Sequence, residues 1–200
     1  MSGQVRTMNT LLRELSGGNL RSDGKANEVA ERVMKTPQLL PKLIEGLSDP
    51  DEVIRGRTAL ALEKISQIHP ELLEGCIPQF VERALTDDVP TVKWHLAIIF
   101  GNVPLERETD AVVSTLFHLL KDESAFVKSW SIVSLTILGR EYKRKRKEIR
   151  KEITLLKHDE SITVRKKVQK ALTVLQNENE SIPVGWSKAE REYSKKRKKG

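Results

Sequence analysis

With only one cysteine, Cys76, the chain cannot form an intramolecular disulfide, so its core must hold without cross-links. Such cysteine use suits a reducing setting and predicts a soluble, cytoplasmic protein. Aromatic residues are scarce, at 4% of 200, which favours thin helical layers over a sheet sandwich. Long apolar runs are also missing. The longest, Leu96–Phe100, is far short of the ~20 residues that cross a bilayer, and Met1–Arg6 lacks the apolar stretch of a signal peptide. No membrane partner is expected. Gly17-Gly18 opens no Walker-type or dinucleotide loop, and His69, His95, His118 and His158 show no i,i+4 pairing. With a single thiol besides, neither a metal nor a cofactor is expected. Cys76 precedes Ile77-Pro78 near a helix start, where the helix dipole lowers a thiol pKa. No histidine stands near it in sequence, so it is read as a partly buried spacer.

Charge is abundant and unevenly spread. Residues 1–138 hold 15 basic and 19 acidic side chains, whereas residues 139–200 hold 20 and 9. The basicity is a property of the C-terminal third.

What the chain does have is a repeat. Four times an aspartate is followed, five and six residues later, by an aliphatic and then a basic residue: Asp49 with Ile54-Arg55, Asp87 with Val92-Lys93, Asp122 with Val127-Lys128, Asp159 with Val164-Arg165. The aliphatic anchors are 38, 35 and 37 residues apart, a period of solenoids whose units bury their apolar faces by stacking. Behind each anchor, offsets 4, 7, 8 and 11 carry the inner face of a second helix. The sets are Ile54, Thr58, Ala61, Leu62, Ile65; Val92, Leu96, Ile99, Phe100, Val103; Val127, Ser131, Ser134, Leu135, Leu138; and Val164, Val168, Ala171, Leu172, Leu175. Offset 7 is small in three of the four, which predicts close helix approach there.

Ahead of each anchor runs a shorter first helix: Leu40, Leu43, Leu47; Val81, Leu85; Val113, Leu116, Leu120; Ile149, Ile153, Leu156. The last leucine precedes its anchor by seven residues in three units and by eight in the fourth, which predicts an extra residue in the last turn. Pro37, Pro70, Pro78 and Pro104 mark the joints. Residues 1–35 read as a degenerate capping pair, with Leu11, Leu12 and Leu15 on one helix. Ala26, Val29, Ala30 and Val33 lie on another, begun by Ser22-Asp23. The solenoid is expected over residues 1–178, followed at 179–200 by a linker and a basic tail. Within that segment Ile182–Trp186 has enough apolar surface to fold back on the last pair.

A helix, an Asp-containing turn and an aliphatic-basic start to a second helix resemble the HEAT repeat family over roughly residues 38–176. The resemblance implies an all-α, right-handed α-α superhelix of about five HEAT-like (armadillo-like) helix pairs. It also implies that the side chains of Asp49/Arg55, Asp87/Lys93, Asp122/Lys128 and Asp159/Arg165 hydrogen-bond within and between successive turns, as a structural ladder. Lysine at two of the basic positions weakens bidentate pairing there.

Candidate binding residues lie in two groups. Trp94 and Trp130, two and three residues past their anchors, are large aromatics at groove-lining positions, the kind that serve as partner hot spots. The basic run Lys143, Arg144, Lys145, Arg146, Lys147, continued by Arg150 and Lys151, lies on a helix whose inner face is expected to be Tyr142, Ile149, Ile153 and Leu156. Lys166, Lys167 and Lys170 add charge on its partner helix, and Lys195–Lys199 on the tail. The function expected is a non-catalytic scaffold binding a partner protein through the surface lined by the second helices. The alternative is a nucleic-acid-associated protein using the basic helices and tail. A lesser alternative follows from the HEAT-type DNA glycosylases, with Trp94 and Trp130 beside Asp87, Asp88 or Asp122. No acid, base and nucleophile converge outside the repeat pattern, so no catalytic residue is assigned.

Overall fold

The computed structural model describes residues 9–105 and 107–186. Ten α-helices, with short 3-10 segments at several starts and ends and no strand among the described residues, form five consecutive pairs. The first helices are α1 (Thr10–Leu15), α3 (Leu40–Ile44), α5 (Ile77–Thr86), α7 (Thr109–Leu119) and α9 (Arg146–Thr154). The second helices are α2 (Ala26–Lys35), α4 (Glu52–Ile68), α6 (Pro90–Asn102), α8 (Ala125–Glu141) and α10 (Ile162–Gln176). α2, α6, α8 and α10 pack on their own first helices and α4 on the 3-10 segment Glu45–Ser48 that follows α3, while successive second helices pack on one another, so α2, α4, α6, α8 and α10 form one continuous layer. The chain is an α-solenoid.

The periodicity that predicts the second helices is the one that is buried. All four sets at offsets 0, 4, 7, 8 and 11 lie in the interior, including Phe100 and Leu135. At offset 7 the backbones do approach. Ser134 donates to the Ala97 carbonyl at 2.6 Å, and a Cβ at Gly101 would stand 3.2 Å from the Ser134 Cα. The close α6–α8 packing therefore needs glycine on one side and a small hydroxyl on the other.

Three local expectations are corrected. In α5 the buried residues are Ile77, Phe80 and Ala84, while Leu85 is 44% exposed. The inward stripe runs one residue earlier than the leucine suggests. The eight-residue gap in the last unit is likewise not an extra turn residue. Asp159 N–H donates to the Leu156 carbonyl as Asp122 N–H does to Leu119, so Leu156 takes the place of Leu119. Finally, α2 begins at Ala26 on an Asp23 carbonyl contact, without a side-chain cap from Ser22 or Asp23.

One arginine ties the turn after α1 to α4. Arg57 of α4 is buried and donates to the carbonyls of Leu15, Ser16, Gly17, Asn19 and Ser22, the orphan acceptors at and beyond the end of α1. Gly24, at φ +52, lies so close to this guanidinium that a Cβ would clash with it at 2.6 Å. At the other end Arg140 performs the same service for α10, donating to Val174, Asn177 and Glu178 carbonyls. The chain then turns back: Trp186 is buried in the core cluster and Ile182 packs against it. The expected basic tail, Ser187–Gly200, lies outside the described residues.

Candidate protein-binding surface

The turn between the helices of each pair is built the same way in every ladder unit. The aspartate Oδ1 accepts the backbone N–H two residues on: Asp49 from Asp51, Asp87 from Val89, Asp122 from Ser124, Asp159 from Ser161. This leaves Oδ2 free to face the preceding unit. The basic residues reach forward to it. Arg55 Nε lies 3.1 Å from Asp87 Oδ2, Lys93 Nζ 2.8 Å from Asp122 Oδ2 and Lys128 Nζ 2.5 Å from Asp159 Oδ2. These side-chain pairs join successive units, while within a unit Arg55 and Arg165 donate to the backbone carbonyls of Asp49 and Asp159 six residues back. Each lysine makes a single contact, whereas Arg55 also reaches Asp88 with Nη2 at 2.9 Å. Asp87 is fully buried and takes a second guanidinium, Arg83, from its own helix.

At Asp159 burial alone pushes the carboxyl up, but the Lys128 and Ser161 hydrogen bonds and the charges of Lys128 and Arg165 outweigh it. The group titrates below the ordinary aspartate range.

Trp94 and Trp130 are half-buried on α6 and α8. Trp94 packs against Phe126 with ring centroids 5.0 Å apart, and meets His95 edge-on at 5.5 Å. Phe126 itself is 62% exposed. It was not singled out in the sequence, and its only signal there is an aromatic at the position just before an anchor. Trp130 stands beside Lys167, whose Nζ is 5.4 Å from the Trp130 ring and 4.8 Å from that of Trp186. Burial between these rings, with repulsion from Lys170 behind it, holds the Lys167 ammonium below the usual lysine range. Beneath the aromatics runs a buried polar thread also absent from the sequence reading. His95 Nδ1 is 2.5 Å from Glu63 Oε2, Gln67 donates to Glu63 Oε1, and Asn102 donates to Ser66. It ties α4 to α6 under the tryptophan.

The carboxylates suggested for a glycosylase-like centre are committed elsewhere. Asp87 is enclosed by two arginines, and Asp122 is held by Lys93 and the Ser124 N–H. Asp88 is exposed and paired with Arg55.

The basic run separates into two parts. Arg146 binds Glu178 at 2.6 Å and the Gly139 carbonyl, and Lys145 binds Asp110 at 3.1 Å. Lys143 and Arg144 are exposed and make long contacts of 3.8 Å to Glu178 and Asp110. Lys147, Arg150 and Lys151 are exposed on α9 with no carboxylate in ion-pair range among the described residues. Lys166 lines a groove at the end of the stack with Lys157 and Arg165, and Lys147, Arg150 and Lys151 do not line it. Lys170 is exposed on α10. Cys76 is half-buried and lines a cavity of about 480 Å³ between α3 and α5. Burial pushes its thiol up, so the lowering expected from the helix dipole is overridden. Among the described residues no helix is long and apolar enough to cross a membrane, and no metal-ligating group is assembled.

No protein-family model matches the chain, and no curated protein matches it. Solved structures do. A computationally designed armadillo repeat protein for modular peptide recognition superposes with a TM-score of 0.62 at 17% identity, covering 82% of this chain and 79% of that one. An engineered protein matches with a TM-score of 0.61 at 17% identity, covering 83% and 78%. Another engineered protein matches at 0.60 and 18%, covering 84% of this chain and 47% of its own. At such identities the likeness is one of fold: a repeat α-solenoid.

Proposed function

We propose that the protein is a non-catalytic scaffold that binds a segment of a partner protein along the surface lined by its second helices. The observation that carries this reading is the aromatic group Trp94, Phe126 and Trp130. Phe126 stays largely in water while its ring meets that of Trp94 at a tilt of 40°, a cost that an exposed surface recovers when a partner covers it. The layer beneath is rigid, since ladder pairs and the Glu63–His95 contact fix α4, α6 and α8 relative to one another. A preformed surface binds an extended or helical segment without first paying to order itself. The fold-level likeness to a designed peptide-recognising armadillo protein supports the same mode. In this reading residues 1–178 are the binding body, 1–35 its cap and 179–200 an appendage. The ladder residues are architecture, no cofactor takes part, and the setting is cytoplasmic. Selection of a displayed random-peptide library against the chain tests it. The selected peptides are expected to lose binding to Phe126→Ser and Trp130→Ala variants of unchanged melting temperature. Peptides that bind these variants equally well would defeat the proposal.

A second reading rests on Lys147, Arg150 and Lys151, which are exposed on one helix with no carboxylate in ion-pair range among the described residues. A polyanion such as duplex DNA would engage them together with Lys143 and Arg144, with affinity falling steeply as salt rises. Absence of binding at low ionic strength removes this reading.

A further inference from the structure

Among the described residues the fourth rung of the ladder is unfilled. Arg55 divides its guanidinium between two tasks. Nη1 donates to the Asp49 and Pro50 carbonyls of its own turn, each at 3.1 Å, while Nε and Nη2 reach forward to Asp87 and Asp88. Arg165 repeats the first task, with Nη1 donating to the Asp159 and Glu160 carbonyls at 2.6 and 2.9 Å. For the second, no described residue serves as its acceptor. Among the described residues no carboxylate lies within ion-pair range of Arg165, and it is exposed where Arg55, Lys93 and Lys128 are largely covered.

Beside it Gln169 is exposed at the place where the earlier units bury Ala59, Ala97 and Ile132. Arg165, Lys157, Lys166, Ile162, Val168 and Leu172 line an open groove of about 580 Å³ along α10. The charged residues lining it are basic, and Ile162 is 61% exposed. The returning segment goes to a different side, since Trp186 packs against Lys167, which does not line the groove. Ser187–Gly200 carries seven basic and two acidic residues, so its charge opposes occupancy of a basic groove.

We propose that this groove docks an acidic amphipathic helix of a partner protein. Paired carboxylates in its first turn would meet Arg165 as Asp87 and Asp88 meet Arg55, and its aliphatic face would cover the exposed Ile162. Carboxylates at a helix N-terminus also suit the helix dipole. A nucleic acid supplies anions but no aliphatic face, and would leave Ile162 in water. The site is separate from the aromatic surface, and the two can fail independently.

The test uses the full chain and a labelled helical peptide of about 20 residues, about 30 Å long, with Asp-Asp in its first turn and leucines along one face. A twin carries Asn-Asn. Anisotropy gives affinity and amide shifts give the site. The acidic peptide is expected to bind with shifts centred on α10. Binding should weaken roughly ten-fold with the Asn twin or with Arg165→Gln, as for loss of a charged hydrogen bond, and should vanish with Ile162→Asp. Melting curves of both variants report that they fold, and Ile162, being exposed, tolerates the change. Absence of binding, equal affinity for the twin, or shifts confined to Trp94 and Trp130 would overturn the proposal. So would a dimer of the chain abolished by Ile162→Asp, which makes a second copy the occupant, or binding seen only after removal of Ser187–Gly200, which makes the chain's own tail the occupant.

Discussion

Lys93 and Asp122 are 29 residues apart in the chain and 2.8 Å apart in space, one on α6 and the other at the turn before α8. The contact is the middle rung of a ladder in which every bridging cation belongs to one unit and every carboxylate to the next. Each aspartate also closes its own turn through Oδ1, so a single side chain sets the local bend and the spacing between units.

That double duty predicts graded costs. Asp122→Ala should lower stability by about 1 kcal/mol, the usual value of a lost cap or turn hydrogen bond. Asp87→Ala should cost more, about 3–5 kcal/mol, because Arg55 and Arg83 would be left without their buried carboxylate. Denaturant melts give both values. Binding of any selected peptide should survive Asp122→Ala.

Packing predicts a larger effect in the core. Phe100→Ala removes a fully buried ring between stacked units and should cost about 3–5 kcal/mol. Chemical denaturation measures it, and a cost below about 1 kcal/mol would contradict the stacking described.

Acid should act through Asp159. Its pKa is lower folded than unfolded, so the stability it adds is present above the unfolded aspartate value, near 3.9, and is lost as pH falls through the lower folded value. Stability measured from pH 7 down to pH 2 should fall less steeply below about pH 4 in Asp159→Asn than in the parent.

Thiol chemistry should be slow. Burial raises the Cys76 pKa, so at neutral pH its alkylation rate should be lower in the folded chain than in the chain unfolded by denaturant. Equal rates would show the thiol to be open.

The second helices were readable because their buried stripe repeats at a fixed offset from an Asp-aliphatic-basic mark, and Ile54, Val92, Val127 and Val164 are all fully enclosed. First helices were less so. In α5 a leucine at position 85 faces solvent while Ala84 faces the core, and hydrophobicity alone ranks them the wrong way round. The direction of the ladder was not readable. An aspartate and a basic residue six apart look like partners, and only the stacking shows Arg55, Lys93 and Lys128 each reaching the aspartate of the next unit. Nor did local pattern mark Phe126 or the Glu63–His95 contact, since both acquire meaning from a residue about one repeat away.

The most direct measurement of the central claim compares two triple variants against one peptide selected on the parent chain. In the first, Trp94, Phe126 and Trp130 become alanine; in the second, Lys147, Arg150 and Lys151 become glutamate. If the function resides on the second-helix surface, the aromatic triple loses roughly a hundred-fold or more in affinity, as for interface hot spots. The charge triple then stays within about two-fold, as for charges at the rim. The opposite order would contradict the account and move the binding site to the basic face of α9.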